Sequence, residues 1–179
     1  MSKDAVVDVD NTLCDFAPVF YEELVKYNPE IPKHTDWNEW DFYHGYMCEE
    51  DFFEAAHNAQ MRIMECAPLD GADSFMRRLQ EDFNVLIASH RREESRELLA
   101  RWMKKHNIRY DDIHISYDKT KMFNGTTKVV IDDSPKTLNV AYCKGILATG
   151  LEFPWNSYMR GTVYLANNLF DIGEYICGN

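Results

Sequence analysis

AVVDVDNT, residues 5–12, is a short apolar run that ends in two carboxylates, Asp8 and Asp10. A continuous apolar run of this length is typical of a strand that is buried on both faces, as the strands of a parallel sheet are. The two acids do not serve core packing, because an unpaired buried charge is costly. We interpret the segment as a strand at whose carboxyl end both side chains converge on one metal ion or one phosphate group.

Five further apolar runs predict the rest of a sheet. They cover residues 85–88, 113–115, 128–133, 145–149 and 162–165. Amphipathic segments between these runs predict helices, which cover residues 71–83, 92–107 and 134–144. Apolar strands that alternate with amphipathic helices imply an α/β fold, with a mostly parallel sheet and helices on both of its faces.

Residues 17–72 separate the first two strands by far more than one crossover helix requires. This segment has ten aromatic residues and two predicted helices, over residues 16–27 and 50–64. It emerges at the carboxyl ends of the strands, where open α/β sheets bind their ligands. We therefore predict a core domain of residues 1–16 and 73–179 and a helical cap of residues 17–72.

The composition excludes several classes of partner. The 179 residues have a net charge of −11, and the cap holds twelve Asp and Glu against three Lys and Arg. A field of that sign repels polyanions, so we expect no long nucleic-acid partner. We also expect no membrane partner, because no apolar run approaches the roughly 20 residues that cross a bilayer. Five scattered cysteines favour a reducing cytoplasm over a disulfide framework or a zinc site.

A second pair of acids, Asp132 and Asp133, closes the apolar run over residues 128–133. Acids that end two separate parallel strands meet at one edge of the sheet. Oxygen ligands there, together with water, suit octahedral Mg²⁺ better than Zn²⁺, because no His or Cys accompanies them. The sequence therefore predicts that Mg²⁺ is the cofactor.

Four spaced motifs resemble those of the haloacid dehalogenase (HAD) superfamily of phosphatases. They are DVDNT at residues 8–12, Ser89 after VLIA, Lys119, and the acids at 132–133. More narrowly, DVDNTLCDF, ASHR, YDKT and VVIDDSP resemble the 5′(3′)-deoxyribonucleotidase family. The resemblance implies a three-layer HAD-like parallel sheet with a small helical cap inserted after the first strand. It also implies a Mg²⁺-dependent phosphomonoesterase that hydrolyses (deoxy)nucleoside monophosphates.

The resemblance further implies a role for each of five residues. Asp8 attacks the phosphorus and forms an aspartyl-phosphate intermediate. Asp10 protonates the departing ester oxygen and then deprotonates the water that hydrolyses the intermediate. The Asp8 carboxylate, the Asp10 backbone carbonyl and Asp132 hold Mg²⁺, while Ser89 and Lys119 bind phosphate oxygens.

For three of these assignments the sequence offers an alternative residue or an alternative role. Lys121 competes with Lys119 for the phosphate site, because Lys119 lies thirteen residues before Asp132. Asp133 has an alternative role as the N-terminal cap of the next helix. Ser89 has a similar alternative, because a helix is predicted to begin a few residues after it.

Two residues are candidates for the wall of the substrate pocket. Phe16 lies at the opening of the cap, and in the resembling family that position contributes an aromatic wall to the base pocket. His90 directly follows the predicted phosphate-binding Ser89. An aromatic pocket above a phosphate site would stack a nucleobase. The alternative is that the aromatic residues form the core of the cap and that His90 has no part in binding.

Two other functions are compatible with the motifs. One is a HAD phosphatase that acts on another small phosphate ester or on a polynucleotide 3′-phosphate end, and the acidic cap counts against the polynucleotide. The other is a non-catalytic module that binds a metal or phosphate, against which the second carboxylate, Asp10, counts. The expected partner is thus a small phosphate ester, and a homodimer is compatible with the sequence.

Overall fold

The computed structural model describes residues 3–178, and within them six strands form one sheet in which all paired strands are parallel. The strands are β1 Asp4–Val7, β2 Asn84–Ser89, β3 Asp112–Ile115, β4 Thr127–Ile131, β5 Leu147–Leu151 and β6 Tyr164–Ala166. Their order across the sheet is β3-β2-β1-β4-β5-β6. β1 is therefore central, and the chain leaves it at the point where the strand order reverses.

Six α-helices lie within the same residues. They are α1 Ala17–Tyr27, α2 Glu49–Met61, α3 Ala72–Leu79, α4 Arg96–Lys105, α5 Pro135–Cys143 and α6 Leu169–Cys177. Short 3₁₀ turns add to them at His34–Asp36, Ile63–Glu65, Glu93–Ser95, Lys119–Met122 and Ser157–Met159. None of the helices within residues 3–178 is both long and apolar enough to cross a membrane.

Two hydrophobic cores, one on each face of the sheet, make the fold three-layered. Successive side chains of a strand point to opposite faces. Ala5 and Val7 of β1 accordingly pack in one core with buried residues of α3, α4 and α6. Val6 packs in the other core with Leu138 and Ala141 of α5. The predicted α/β fold is confirmed.

Each predicted strand and helix is found, with boundaries that differ by a few residues. β1 and β4 both end before their acids, so the carboxylates lie on the loops that follow. Helix α6 was not predicted, because Gly173 interrupts its short apolar stretch. Its beginning is fixed by Asn168, whose side-chain oxygen accepts a hydrogen bond from the backbone N–H of Asp171 at 2.8 Å.

In the predicted cap, α1 and α2 pack against each other around a cluster of aromatic rings. Trp37 stacks on Phe42 with ring centres 4.1 Å apart, and Tyr43 stacks on Phe52 at 3.8 Å. Most of these aromatic side chains thus pack in the core of the cap, and several of them, among them Trp37, Phe42 and Phe52, also line the cavity described below. The domain boundaries stay a prediction.

Candidate active site

Three buried carboxylates gather at the carboxyl edge of the sheet. Asp8 follows β1, and Asp132 and Asp133 follow the neighbouring strand β4. The register pairs Val7 with Ile131, which brings the residues after the two strands side by side. One oxygen of each of the three carboxylates lies within 4.8 Å of the others. The structure therefore brings Asp8 and Asp132 together, with Asp133 as a third member of the cluster.

Lys119 is the lysine at this cluster. Its Nζ lies 2.6 Å from Oδ1 of Asp8 and 2.8 Å from Oδ2 of Asp132. The lysine begins a 3₁₀ turn that is capped by Asp118, whose carboxylate accepts a hydrogen bond from the backbone N–H of Thr120 at 3.1 Å. Lys121, the rival candidate, is exposed on the same turn.

The cluster has an excess of buried negative charge, because one ammonium group faces three carboxylates. Burial raises the pKa of Asp8 to about 7, with Lys119 opposing the rise and Asp132 and Asp10 adding to it. Burial likewise raises the pKa of Asp133 well above its ordinary range. For Lys119, the attraction of Asp132 and Asp8 outweighs burial and raises the pKa of the ammonium group.

When all three carboxylates are ionised, Lys119 leaves two negative charges, which a divalent cation would balance. The donors of the cluster are all carboxylate oxygens, which are the ligands that Mg²⁺ prefers. The residues present therefore fit Mg²⁺. Asp8 and Asp132 are the side chains that would hold it, and Asp133 is the third donor within reach.

The carboxylate of Asp10 does not join this cluster. Arg91 forms an ion pair with Oδ1 of Asp10 through Nη2. Gln60 of the cap donates a hydrogen bond to Oδ2 at 3.2 Å. The backbone carbonyl of Asp10 thus stays a candidate metal ligand, as the resemblance implied. Its carboxylate contacts Arg91 and Gln60 instead of the cluster.

Ser89 lies at the end of β2 and is fully buried. Its Oγ accepts a hydrogen bond from Nε of Arg91 at 2.7 Å, which leaves its hydroxyl hydrogen to donate to a phosphate oxygen. Helix α4 begins seven residues later, so Ser89 does not cap it. Ser89 is not among the residues that line the cavity described below, and its role in binding phosphate stays a prediction.

The N-terminal cap of α5 is Ser134, whose Oγ accepts from the backbone N–H of Thr137 at 3.4 Å. Asp133 therefore does not cap this helix. Instead its side chain accepts a hydrogen bond from Asn11 at 3.4 Å, and its carbonyl accepts one from buried Asn156 at 3.0 Å. These two asparagines hold the loop after β4 in place.

A cavity of about 430 Å³ lies between the carboxylate cluster and the cap. Phe16 and His90, the two predicted pocket residues, both line it, together with Asp8 and Lys119. His90 stacks on Phe53 with ring centres 5.6 Å apart and planes 22° from parallel. Burial, and then the charge of Lys119, lower the pKa of His90, so its imidazole is neutral at pH 7.

Two residues of the site were missed by sequence reasoning. Arg91 is almost completely buried, and sequence reasoning did not separate it from the arginines near it. Gln60 lies within a predicted helix whose pattern does not distinguish it from its neighbours. For Arg91 the sequence offered one signal, which is an arginine two residues after the end of a buried strand. For Gln60 it offered none.

A family model described as 5′ nucleotidase, deoxy (pyrimidine), cytosolic type C protein matches residues 5–176. The chain belongs to this nucleotidase family. Its membership and the site together make it a phosphatase of the HAD superfamily, as the four motifs predicted. The alternative of a non-catalytic module is thereby set aside. No curated protein sequence matches the chain.

Solved structures with the same fold are HAD-superfamily hydrolases. A predicted phosphatase from Clostridium acetobutylicum has a TM-score of 0.73 at 15% identity, with all of both chains covered. A haloacid dehalogenase-like hydrolase from Streptococcus pneumoniae has a TM-score of 0.72 at 13% identity, with 98% of each chain covered. The HAD-hydrolase YfnB of Bacillus subtilis, bound to magnesium, has a TM-score of 0.63 at 16% identity and 99% coverage of each chain. The predicted HAD-like fold is confirmed.

Proposed function

We propose that this phosphatase hydrolyses (deoxy)nucleoside monophosphates with Mg²⁺, through an aspartyl-phosphate on Asp8. The observation that carries the proposal is the position of Lys119, whose Nζ lies between Asp8 and Asp132 at the wall of a cavity lined with aromatic rings. This arrangement supports the proposal, because the carboxylate of Asp8 and the ammonium group of Lys119 border a space that suits a flat, apolar group. The family description, which names a deoxy nucleotidase, agrees with it.

The first step is attack by a carboxylate oxygen of Asp8 on the phosphorus. Two anions repel each other, so the reaction depends on positive charge at the phosphoryl oxygens. Lys119 supplies one such charge, and Ser89 offers a hydroxyl hydrogen to the same group. Mg²⁺ held by Asp8, Asp132 and the carbonyl of Asp10 would supply further charge at these oxygens.

Asp10 serves both halves of the reaction. As the bond between phosphorus and the ester oxygen breaks, Asp10 gives its proton to the departing alkoxide and the phosphoryl group stays on Asp8. In the second half, Asp10 takes a proton from water while the water oxygen attacks the phosphorus and the bond to Asp8 breaks. The covalent intermediate replaces one difficult displacement with two easier ones.

The nucleoside half of the substrate is inferred from the cavity. Phe16, Phe53 and His90 line it, and a nucleobase stacks favourably on aromatic rings. The acidic cap disfavours polyanions, so a monophosphate suits the site better than a polynucleotide end. We place the reaction in the cytoplasm, in agreement with the cytosolic type named in the family description.

Release of inorganic phosphate from a panel of substrates tests the proposal. The panel contains purine and pyrimidine nucleoside monophosphates with ribose or deoxyribose, sugar phosphates, and an oligonucleotide with a 3′-phosphate. We expect turnover of deoxynucleoside monophosphates that requires Mg²⁺, stops with EDTA and is absent from Asp8→Asn. Preference for sugar phosphates or for the oligonucleotide would replace the proposed substrate, and turnover by Asp8→Asn would overturn the mechanism.

A further inference from the structure

One face of helix α2 is joined to the chain segment that follows β2. Residues 54, 57 and 60 are spaced by three, so they lie along one side of the helix. Their contacts form what we call the α2 seam, which consists of Glu54 with Arg92, His57 with Glu94 at 3.3 Å, and Gln60 with the carbonyl of His90 at 2.9 Å. This face of α2 thus meets the core through polar contacts.

The last contact of the α2 seam reaches the active site. Gln60 is buried, and its Nε2 donates both to the carbonyl of His90 at 2.9 Å and to Oδ2 of Asp10 at 3.2 Å. A side-chain amide has two N–H groups, so each acceptor receives its own hydrogen. A residue of the cap therefore contacts the carboxylate that serves as acid and base.

The other oxygen of Asp10 is held from the core. Nη2 of Arg91 contacts Oδ1, and Nε of the same guanidinium donates to Oγ of Ser89 at 2.7 Å. The Arg91 side chain is fully buried and is not among the residues that line the cavity. Asp10 is thereby fixed at two points, one from the core and one from the cap.

We propose that Gln60 is a positioning residue that makes the proton transfer by Asp10 depend on the docking of the cap. The hydrogen bond from Gln60 uses one lone pair of Oδ2 and leaves the other for the proton. Without Gln60, the carboxylate keeps its contact with Arg91 but rotates about it. Proton transfer requires placement within a few tenths of an ångström, so this rotation slows the step. The inference rests on the proposed function.

The test compares two esters that differ in their need for an acid. A deoxynucleoside 5′-monophosphate releases a strongly basic alkoxide, which needs a proton as it departs. p-Nitrophenyl phosphate releases a weakly basic phenolate, which does not. A defect in the proton transfer therefore lowers kcat/KM for the alkyl ester and spares the aryl ester, whereas a loss of folded protein lowers both.

The variant is Gln60→Met, which keeps the volume of the side chain and loses both N–H groups. We expect kcat/KM for the nucleotide to fall about tenfold to hundredfold more than kcat/KM for p-nitrophenyl phosphate. Asp10→Asn should show the same selective loss. Glu54→Gln is the matched control, because it weakens another contact of the α2 seam and leaves the hydrogen bond from Gln60 to Asp10 in place, so it should not produce the selective loss.

Two other outcomes are decisive against the inference. Equal losses for both esters in Gln60→Met, or no loss, would show that Gln60 only supports the cap, and the proposed function would stand without it. If the wild-type protein releases phosphate from neither ester, the proposed function itself fails and the inference fails with it.

Discussion

Nζ of Lys119 lies 2.6 Å from Oδ1 of Asp8, although 111 residues separate the two positions in the chain. The contact exists because β1 delivers Asp8 to the edge of the sheet and the capped turn at Lys119–Met122 directs the lysine to the same place. It is buried on both sides, so water screens it little. The electrostatics of the site depend on this pair.

Replacing Lys119 with Met should lower kcat for a nucleoside monophosphate by about a hundredfold or more, because a preorganised charge at the phosphoryl oxygens is lost. Lys121→Met is the control, since Lys121 is exposed on the same turn and should keep near wild-type activity. Thermal melting with Mg²⁺ would separate inactivity from unfolding. Normal turnover by Lys119→Met, with loss in Lys121→Met, would reverse the assignment.

The raised pKa of Asp8 predicts how stability depends on pH in the absence of metal. Its pKa rises from 3.8 to about 7 on folding, so the folded protein binds more protons than the unfolded chain between these values. This group therefore makes the protein less stable as pH rises from about 4 to about 7. In EDTA, Asp8→Asn should melt at a higher temperature than the wild type at pH 8, and the two should converge near pH 4.

Adding Mg²⁺ should change how the melting temperature depends on pH. A bound cation favours the anionic carboxylates, so it should raise the melting temperature of the wild type more at pH 8 than at pH 5. Asp8→Asn should respond less at pH 8. A wild-type protein whose melting temperature in EDTA does not differ from that of Asp8→Asn at pH 8 would contradict the charge excess described for the cluster.

Much of this site could be predicted from the sequence because its acids mark the ends of apolar strands. The change from valine and isoleucine to aspartate shows where β1 and β4 stop, and parallel strands bring their carboxyl ends to one edge. Asp8 and Asp132 were placed in this way. Lys119 was chosen by resemblance, and it is the direction of a short turn that puts Lys119 rather than Lys121 beside the carboxylates.

The contacts of Asp10 could not be predicted, for a physical reason. Gln60 reaches this residue only because α2 docks on the segment after β2, and no periodicity reports how two elements dock. The stacking of His90 on Phe53 depends on the same docking. Sequence patterns therefore predicted the acidic residues of the core domain, and they did not predict the contacts that the cap makes with them.

Phe53 should contribute to binding of the base without contributing to the chemistry. It lines the cavity, and its ring is 39% exposed, so its loss should disturb the core little. We expect Phe53→Ala to raise KM for a deoxynucleoside monophosphate about tenfold, since stacking of one base is worth about 1–3 kcal/mol. Deoxyribose 5-phosphate, which has no base, should show no such change. Equal effects on the two substrates would argue against stacking at Phe53.

Gly150 should be required for the position of Asp132. A Cβ at residue 150 would lie 2.0 Å from the carbonyl oxygen of Asp132, so an alanine there forces the end of β4 away from β5. A displacement of about 1 Å in a catalytic group costs about a hundredfold in rate. We therefore expect Gly150→Ala to lose activity by about that factor and to bind Mg²⁺ more weakly in calorimetric titration. Gly125→Ala is the matched control, because a Cβ at residue 125 would have no atom within 4 Å. Wild-type Mg²⁺ binding and turnover in Gly150→Ala would show that the cluster tolerates movement of Asp132.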